Sequence, residues 1–473
     1  MAKVLHCDLC VIGAGSAGLS VAAGAAQLGA STILFERAKM GGDCLNYGCV
    51  PSKALLAAAH AAYAAREAGR FGIRCPEPEV NFAAVMAHVH SVIATIAPHD
   101  SVERFEGLGV RVIKADARFT GPREVSGGDV RVRARRIVIA AGSTAAMPSI
   151  PGLEAVSPFT NETIFSLTER PDHLLIIGGG PIGVEMAQAF RRLGSRVTLL
   201  QRTRLLNKDE PELVDSLRRQ LIAEGVIVHE GIDIERAARE QCGITLTLSG
   251  GADPITGSHL LVAAGRRPRL QGLELEKAGV AFTDGGITVD ARLRTSNPHI
   301  YAIGDIAGGP QFTHVAGYHA GIVIRNALFR LPAKTDYSAL PWVTYSDPEL
   351  AHVGLTESEA RRRFGDDVQV THTEFSANDR AQAERDSSGG IKVVTRANGV
   401  ILGASILGHG AGELLPLWGL AITRKLKLSA MTAVIFPYPT RSELSKSTAS
   451  AFYTPRLFSR WPRLIVRLLA LLG

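Results

Sequence analysis

Residues 7–37 read "CDLCVIGAGSAGLSVAAGAAQLGASTILFER" (Cys7 to Arg37). An apolar run of strand length leads into Gly13-x-Gly15-x-x-Gly18. An Ala/Leu-rich helical stretch follows to Gly29, and "STILFE" closes a second strand on Glu36. Alone, such a glycine pattern is as well explained by an ordinary tight turn. The same order returns in "HLLIIGGGPIGVEMAQAFRRLGSRVTLLQR" (His173 to Arg202), with Gly178-x-Gly180-x-x-Gly183 some 165 residues later. Two strand–turn–helix–strand units point to two dinucleotide-binding domains. In each, glycines let the backbone approach a pyrophosphate, whose charge rests on helix N-terminal N–H groups.

The acid closing the second strand of such a unit can grip a ribose hydroxyl pair, and Glu36 fits that role. In the second unit Gln201 and Arg202 stand there, with Arg204 and Lys208 nearby. No acid would repel a 2′-phosphate and cations are at hand. NADPH is therefore expected, with NADH as the alternative and a solvated basic loop as the plain reading. Two further strands end in glycine, "IVIAAGS" at Gly142 and "LLVAAGRRP" at Gly265, and "TSNPHIYAIGDIAG" places Gly304-Asp305 after another. After residue 335 the texture changes to that of a mixed sheet-and-helix domain, with the boundary expected between Pro332 and Ser338.

At 473 residues, 46% hydrophobic and 21% charged, the chain is an ordinary multidomain globular protein. Its six cysteines (Cys7, Cys10, Cys44, Cys49, Cys75, Cys242) are too few and irregular for a secreted disulfide framework. A reducing, cytoplasmic setting without a signal peptide is expected. Of the net charge of +7, four arginines (Arg456, Arg460, Arg463, Arg467) lie in the last 18 residues, so the body is too near neutrality to suggest nucleic acid.

The chemistry concentrates in "GGDCLNYGCVPSK" (Gly41 to Lys53). In a regular helix, residues five apart are separated by about 7.5 Å of rise, beyond the Cα span of a disulfide. Cys44 and Cys49 can bridge only across an irregular turn, which Asn46 and Gly48 permit. A helix beginning in "PSKALLAAAHAAYAAREA" would aim its N-terminal dipole at the pair and lower a thiol pKa. A bridge between near neighbours in a reducing compartment reads as catalytic. No second Cys/His set has ligand spacing, so no resident metal is expected. Cys7 and Cys10 lie on a buried strand and read as two unrelated cysteines.

These motifs, with "YAIGD" and "VTYSDPELAHVGLTE", resemble the class I pyridine nucleotide–disulfide oxidoreductases over nearly the whole chain, to about residue 452. That family includes lipoamide dehydrogenase, glutathione reductase and mercuric reductase. The resemblance implies an α/β fold with two Rossmann-like dinucleotide-binding domains, for FAD and NAD(P), plus a C-terminal α+β dimerisation domain. FAD binding is expected over 1–150 and 276–335, NAD(P) binding over 151–275 and dimerisation over 336–455, with a basic tail at 456–473. Hydride would pass from NAD(P)H to FAD, and the reduced flavin would open the disulfide. Cys49 would face the flavin as the charge-transfer thiolate and Cys44 would meet substrate. Lys53 would sit near the flavin N5 and pair with Glu185. Gly13, Gly15, Gly18, Glu36, Gly142, Gly304 and Asp305 would hold FAD, with backbone near Ala115 and Thr313. Gly178, Gly180, Gly183, Arg202 and Gly265 would serve NAD(P).

One departure bears on substrate. Disulfide-reducing members carry His-Pro-x-x-x-Glu near the C-terminus, reaching across a homodimer, the histidine being the acid–base partner of the thiol. Here "FPYPTRSELSK" puts Tyr438 in its place, with Glu443 retained. A free tyrosine, pKa near ~10, cannot shuttle protons at neutral pH as imidazole does. Mercuric reductases resemble this chain in that tyrosine and in "PQF" (Pro310 to Phe312), yet end in a vicinal cysteine pair, whereas the last cysteine here is Cys242. The expected acceptor is a soft metal ion such as Hg(II) or another non-thiol oxidant. Alternatives are a dihydrolipoamide dehydrogenase-like activity, a quinone, disulfide or transhydrogenase role, and a non-catalytic flavin redox-sensing module.

The tail "RLFSRWPRLIVRLLALLG" has the make-up of an interfacial helix. Ser459 is expected to cap it, with Pro462 in its first turn. Arg460, Arg463 and Arg467 would share one face and Trp461, Leu464, Ile465, Leu468 and Leu472 the other. Contact with the inner face of a membrane is expected, the plain alternative being a helix packed on the dimer.

Overall fold

The computed structural model describes residues 3–241 and 243–471, so Cys242 and Leu472 lie outside the described residues. The chain forms two compact units, one of residues 1–178, 189–200 and 232–335, the other of residues 179–188, 201–231 and 336–473. The second glycine-loop segment is thus divided between them, and the break at Thr335–Asp336 falls inside the polar run Pro332–Ser338.

The first unit is built on β1 (Lys3–Ile12), which pairs in parallel with β2 (Thr32–Phe35) on one side and with Val130–Ile139 on the other. Val110–Ile113 and Ile300–Ala302 extend this parallel sheet at its two sides. Successive β1 side chains enter opposite cores, as a strand covered on both faces requires. Leu9 and Val11 pack with α1 (Ser16–Gln27) and the helix Thr313–Ala327, whereas Cys10 and Ile12 pack with Phe119, Val125 and Val132. Cys7 and Cys10 are both free thiols; burial pushes Cys7 up to about 12 and Cys10 well up too, so neither is reactive at neutral pH. The second glycine loop follows His173–Ile177, which lies in parallel between Arg196–Gln201 and His259–Val262. The first glycine of each loop is sterically required. A Cβ on Gly13 (φ +102°) would stand 2.5 Å from the Ala140 carbonyl oxygen, and one on Gly178 (φ +116°) would stand 2.3 Å from that of Ala263.

In the second unit a five-stranded antiparallel sheet runs in the order Pro341–Thr344, Glu349–Gly354, Ile401–Gly408, Gly390–Arg396, Val368–Glu374. The helices Ala411–Thr423 and Glu443–Leu457 bury Trp418, Leu415, Leu444 and Phe452 with Ile391, Val393 and Ile406 in one core. Lys392 is buried on this sheet and ion-pairs with Glu210 (2.8 Å), Glu357 (2.8 Å) and Glu212. Burial alone would lower its pKa; the hydrogen bonds to the three carboxylates outweigh that and hold it above the ordinary lysine value. We expect Lys392→Met to leave buried Glu210 without its cation and to destabilise the protein by about 3–5 kcal/mol. Urea unfolding would check this, and a loss under ~1 kcal/mol would mean that the ion cluster contributes little.

The tail forms a helix, Arg460–Leu469, but Ser459 caps it differently from the sequence expectation. Its side chain makes no capping bond; its carbonyl instead accepts from the Arg463 N–H at 3.4 Å.

Candidate active site

Cys44 lies on the short helix α2 (Gly42–Asn46), and α3 (Cys49–Glu67) begins at Cys49 itself. The chain breaks at Tyr47 and Gly48, the latter at φ −123° and ψ −111°. Asn46 is not part of the break, contrary to the sequence expectation. It completes α2, its side-chain N–H groups donating to the carbonyls of Met40 (2.9 Å) and Gly42 (2.8 Å). A Cβ on Gly42 would lie 2.6 Å from the Cα of Gly15. Glycine there therefore lets the cysteine segment rest on the first glycine loop.

Cys44 is half-buried, Cys49 is exposed, and both are free thiols hydrogen-bonded to each other. Thr313 Oγ1 lies 3.4 Å from Cys49 Sγ, and Ser16, the residue after Gly15, hydrogen-bonds Cys44. The Cys49 pKa is pulled down, first by the hydrogen bond from Cys44 and then, against burial, by Thr313 and the charge of Lys53. The same hydrogen bond, followed by burial, pushes Cys44 far up. Position at the first turn of α3 adds the helix dipole to the stabilisation of a Cys49 thiolate. The shared proton therefore resides on Cys44. Because the thiolate gains population as pH rises through the folded pKa, alkylation of Cys49 in the reduced protein should reach half its maximal rate near pH 6, where its pKa stands at about 6. Lys53→Met should move that midpoint upward. Peptide-mapped iodoacetamide kinetics test this, and a wild-type midpoint near the ordinary thiol value of ~8.5 would overturn it.

A polar network surrounds the pair. Asp43 accepts from Asn161 Nδ2 (3.0 Å) and ion-pairs with Arg266 (3.2 Å). Arg266 donates to Ser143 Oγ (2.7 Å), which in turn donates to Asp305, and lies 3.7 Å from Asp305 itself. Gly304 N–H donates to His319 Nδ1 (3.1 Å); burial lowers that imidazole to about 4, so it stays neutral and accepts. Sequence reasoning missed Ser16, Ser143, Asn161 and Arg266. The one signal on hand was Arg266 directly after Gly265, in a segment read only for its glycine.

Glu36 is buried, its carboxylate accepting from the N–H groups of Ala14 and Ala38, both at 2.6 Å. Gln201 repeats this clamp in the second loop, Oε1 accepting from Gly179 N–H at 2.8 Å while Nε2 donates to Thr203. Of the cations beside it, Arg202 and Lys208 are exposed and Arg204 pairs with Asp215 at 2.7 Å. Ala115 N–H donates to the carbonyl of Ile113, Gly183 is buried, and Gly265 has φ +121°. At Gly142, Gly180 and Gly265 a Cβ would meet nothing within 4 Å, and at Gly15 only Gly42 at 3.9 Å. Both loops thus present open backbone, as dinucleotide pyrophosphates need.

In the second unit, buried Glu185 accepts from Tyr345 N–H at 3.0 Å. Tyr438 is 68% exposed, and its hydroxyl donates to Asp379 Oδ2 at 2.8 Å. That bond, reinforced by the Asp379 charge and more weakly by Glu443, raises the phenol pKa above its ordinary value. Glu443 is the first residue of its helix.

Comparison with known proteins agrees with this geometry. Residues 7–320 match the family described as pyridine nucleotide-disulphide oxidoreductase, and residues 340–449 match its dimerisation domain, which supports a homodimer. A mercuric reductase of Streptomyces lividans is 38% identical, over 94% of this chain and 96% of its own. A dihydrolipoyl dehydrogenase of Geobacillus stearothermophilus is 35% identical, over 95% and 97%. The solved Cu(II) complex of the HOCl-induced flavoprotein disulfide reductase RclA of Escherichia coli superposes with a TM-score of 0.85 at 28% identity, covering 94% of this chain and 99% of that one. With a polarised thiol pair resting on the first glycine loop and family matches over residues 7–320 and 340–449, the chain belongs to the pyridine nucleotide–disulphide oxidoreductases and is an FAD-dependent enzyme that uses NAD(P)H.

Proposed function

We propose that the enzyme passes electrons from NADPH to a soft metal ion, of which Hg(II) is the type, through the Cys44–Cys49 pair. FAD supplies the two-electron relay between nicotinamide and sulfur. The protein's part is to hold the reduced pair as one thiolate and one thiol, to present both sulfurs to the ion, and to fix the segment through Asp43, Asn161 and Arg266. Two-electron reduction of a divalent ion to the metal needs no proton delivered to a leaving thiol, and thiolates are its preferred ligands. Reduction of an organic disulfide does need that proton.

The observation that carries the reading is the Tyr438–Asp379 hydrogen bond. The hydroxyl where the disulfide-reducing members place an imidazole is committed to a carboxylate and made less acidic. Similarity to a mercuric reductase, and to a reductase solved as its Cu(II) complex, supports the same acceptor class. For the nicotinamide, neutral Gln201 and exposed Arg202 favour the 2′-phosphate. Cys44, Cys49 and Lys53 are the proposed catalytic residues on the flavin side, with Glu185, Tyr438 and Glu443 completing the set.

Steady-state oxidation of NADPH and NADH by the purified holoenzyme with Hg(II), Cu(II), lipoamide, glutathione disulfide and a quinone tests the reading. Turnover with the thiophilic ions should exceed that with either disulfide by tenfold or more. Faster turnover of lipoamide or glutathione would overturn it.

A further inference from the structure

The tail helix Arg460–Leu469 buries none of its residues. At about 100° per residue, Arg460, Arg463 and Arg467 fall within an arc of about 60°. Leu464, Leu468, Trp461, Ile465, Leu469 and Val466 occupy the roughly 200° facing it. Trp461 is 71% exposed and Val466 65%. So wide an apolar face is not at home in water.

Charge identifies what covers it. Glu443 is the last acid of the chain, so every formal side-chain charge beyond it is positive. Arg456 is engaged with the body, lying over the Phe452 ring (5.2 Å) and donating to the Ala397 carbonyl (3.2 Å). Among the described residues, Arg460, Arg463 and Arg467 have no such partner. Two copies packed through this apolar face would cover the leucines but leave the arginines of both in water, with no acid to meet them. A phosphate-bearing lipid surface instead offers anions to the guanidinium groups and hydrocarbon to the leucines. The helix is about 15 Å long, half the hydrocarbon thickness of a bilayer, and lies on such a surface without spanning it.

We propose that this helix docks the enzyme on anionic membranes, with its apolar face in the acyl boundary and its arginines among the headgroup phosphates. The test is flotation of the FAD-loaded protein with phosphatidylcholine vesicles, with and without phosphatidylglycerol. Three chains are compared: full length, a chain ending at Phe458, and the R460E/R463E/R467E variant. All three should retain NADPH-dependent reduction of ferricyanide, which shows that they are folded. The full-length protein should float only with the anionic vesicles, and less so at high salt. Both altered chains should bind about tenfold more weakly or worse. Equal flotation of the full-length and shortened chains would overturn the proposal. So would a smaller assembly mass, by light scattering, for the shortened chain, which would assign the face to a second copy.

Discussion

Cys49→Ser should abolish reduction of thiophilic ions, by a factor of about 10³ or more in kcat, since the thiolate is the metal ligand and serine's hydroxyl stays protonated at pH 7. NADPH oxidation by ferricyanide, which takes electrons directly from flavin, should stay within about threefold of wild type. Cys44→Ser should lose ion reduction equally. In Cys44→Ala, which removes the donor, the Cys49 pKa should rise, because the hydrogen bond from Cys44 is the largest of the influences lowering it. Flavin absorbance before and after NADPH, with thiol titration, separates the two serine variants. If Cys49→Ser kept ion reduction, the sulfur pair would be a bystander and the acceptor would react at the flavin.

Tyr438→His should raise dihydrolipoamide turnover by about 10²–10⁴, the range a positioned general base provides. The structure sharpens this, because the imidazole would meet Asp379, whose carboxylate now holds the tyrosine hydroxyl. An Asp379 partner would raise the imidazole pKa and favour its charged form below that value. Dithiol oxidation, which needs the neutral base, should therefore switch on as pH rises through it. Adding Asp379→Asn should move the rise to lower pH. An unchanged dithiol rate in Tyr438→His would place residue 438 outside the site and remove the argument against lipoamide.

Much of the fold was legible because its signals are local. Gly13 and Gly178 each sit where a side chain would strike a strand carbonyl, so the loops announce themselves in sequence. The apolar strands "CVI" and "IVIA" are buried on both faces and carry no polar interruption. The Cys44–Cys49 spacing demanded an irregular turn, and the structure breaks the helix there. Asn46 was misassigned because asparagine favours turns but also completes helices, and only its two carbonyl contacts distinguish the cases. Ser459 does stand at the capping position of the tail helix, although its hydroxyl makes no capping bond.

Sequence alone determined the two glycine loops, the cysteine pair, the tyrosine in place of histidine and the amphipathic tail, since each depends on residue identity at short spacing. Tertiary structure decided which thiol holds the proton, the partner of Tyr438 59 residues away, and the bond from Ser143 to Asp305 across 162 residues. It also showed that Glu36 and Gln201 clamp their loops by the same backbone bond, one charged and one neutral. Acidity and hydrogen bonding depend on the groups that folding brings within a few ångströms, and chain spacing carries no record of those neighbours.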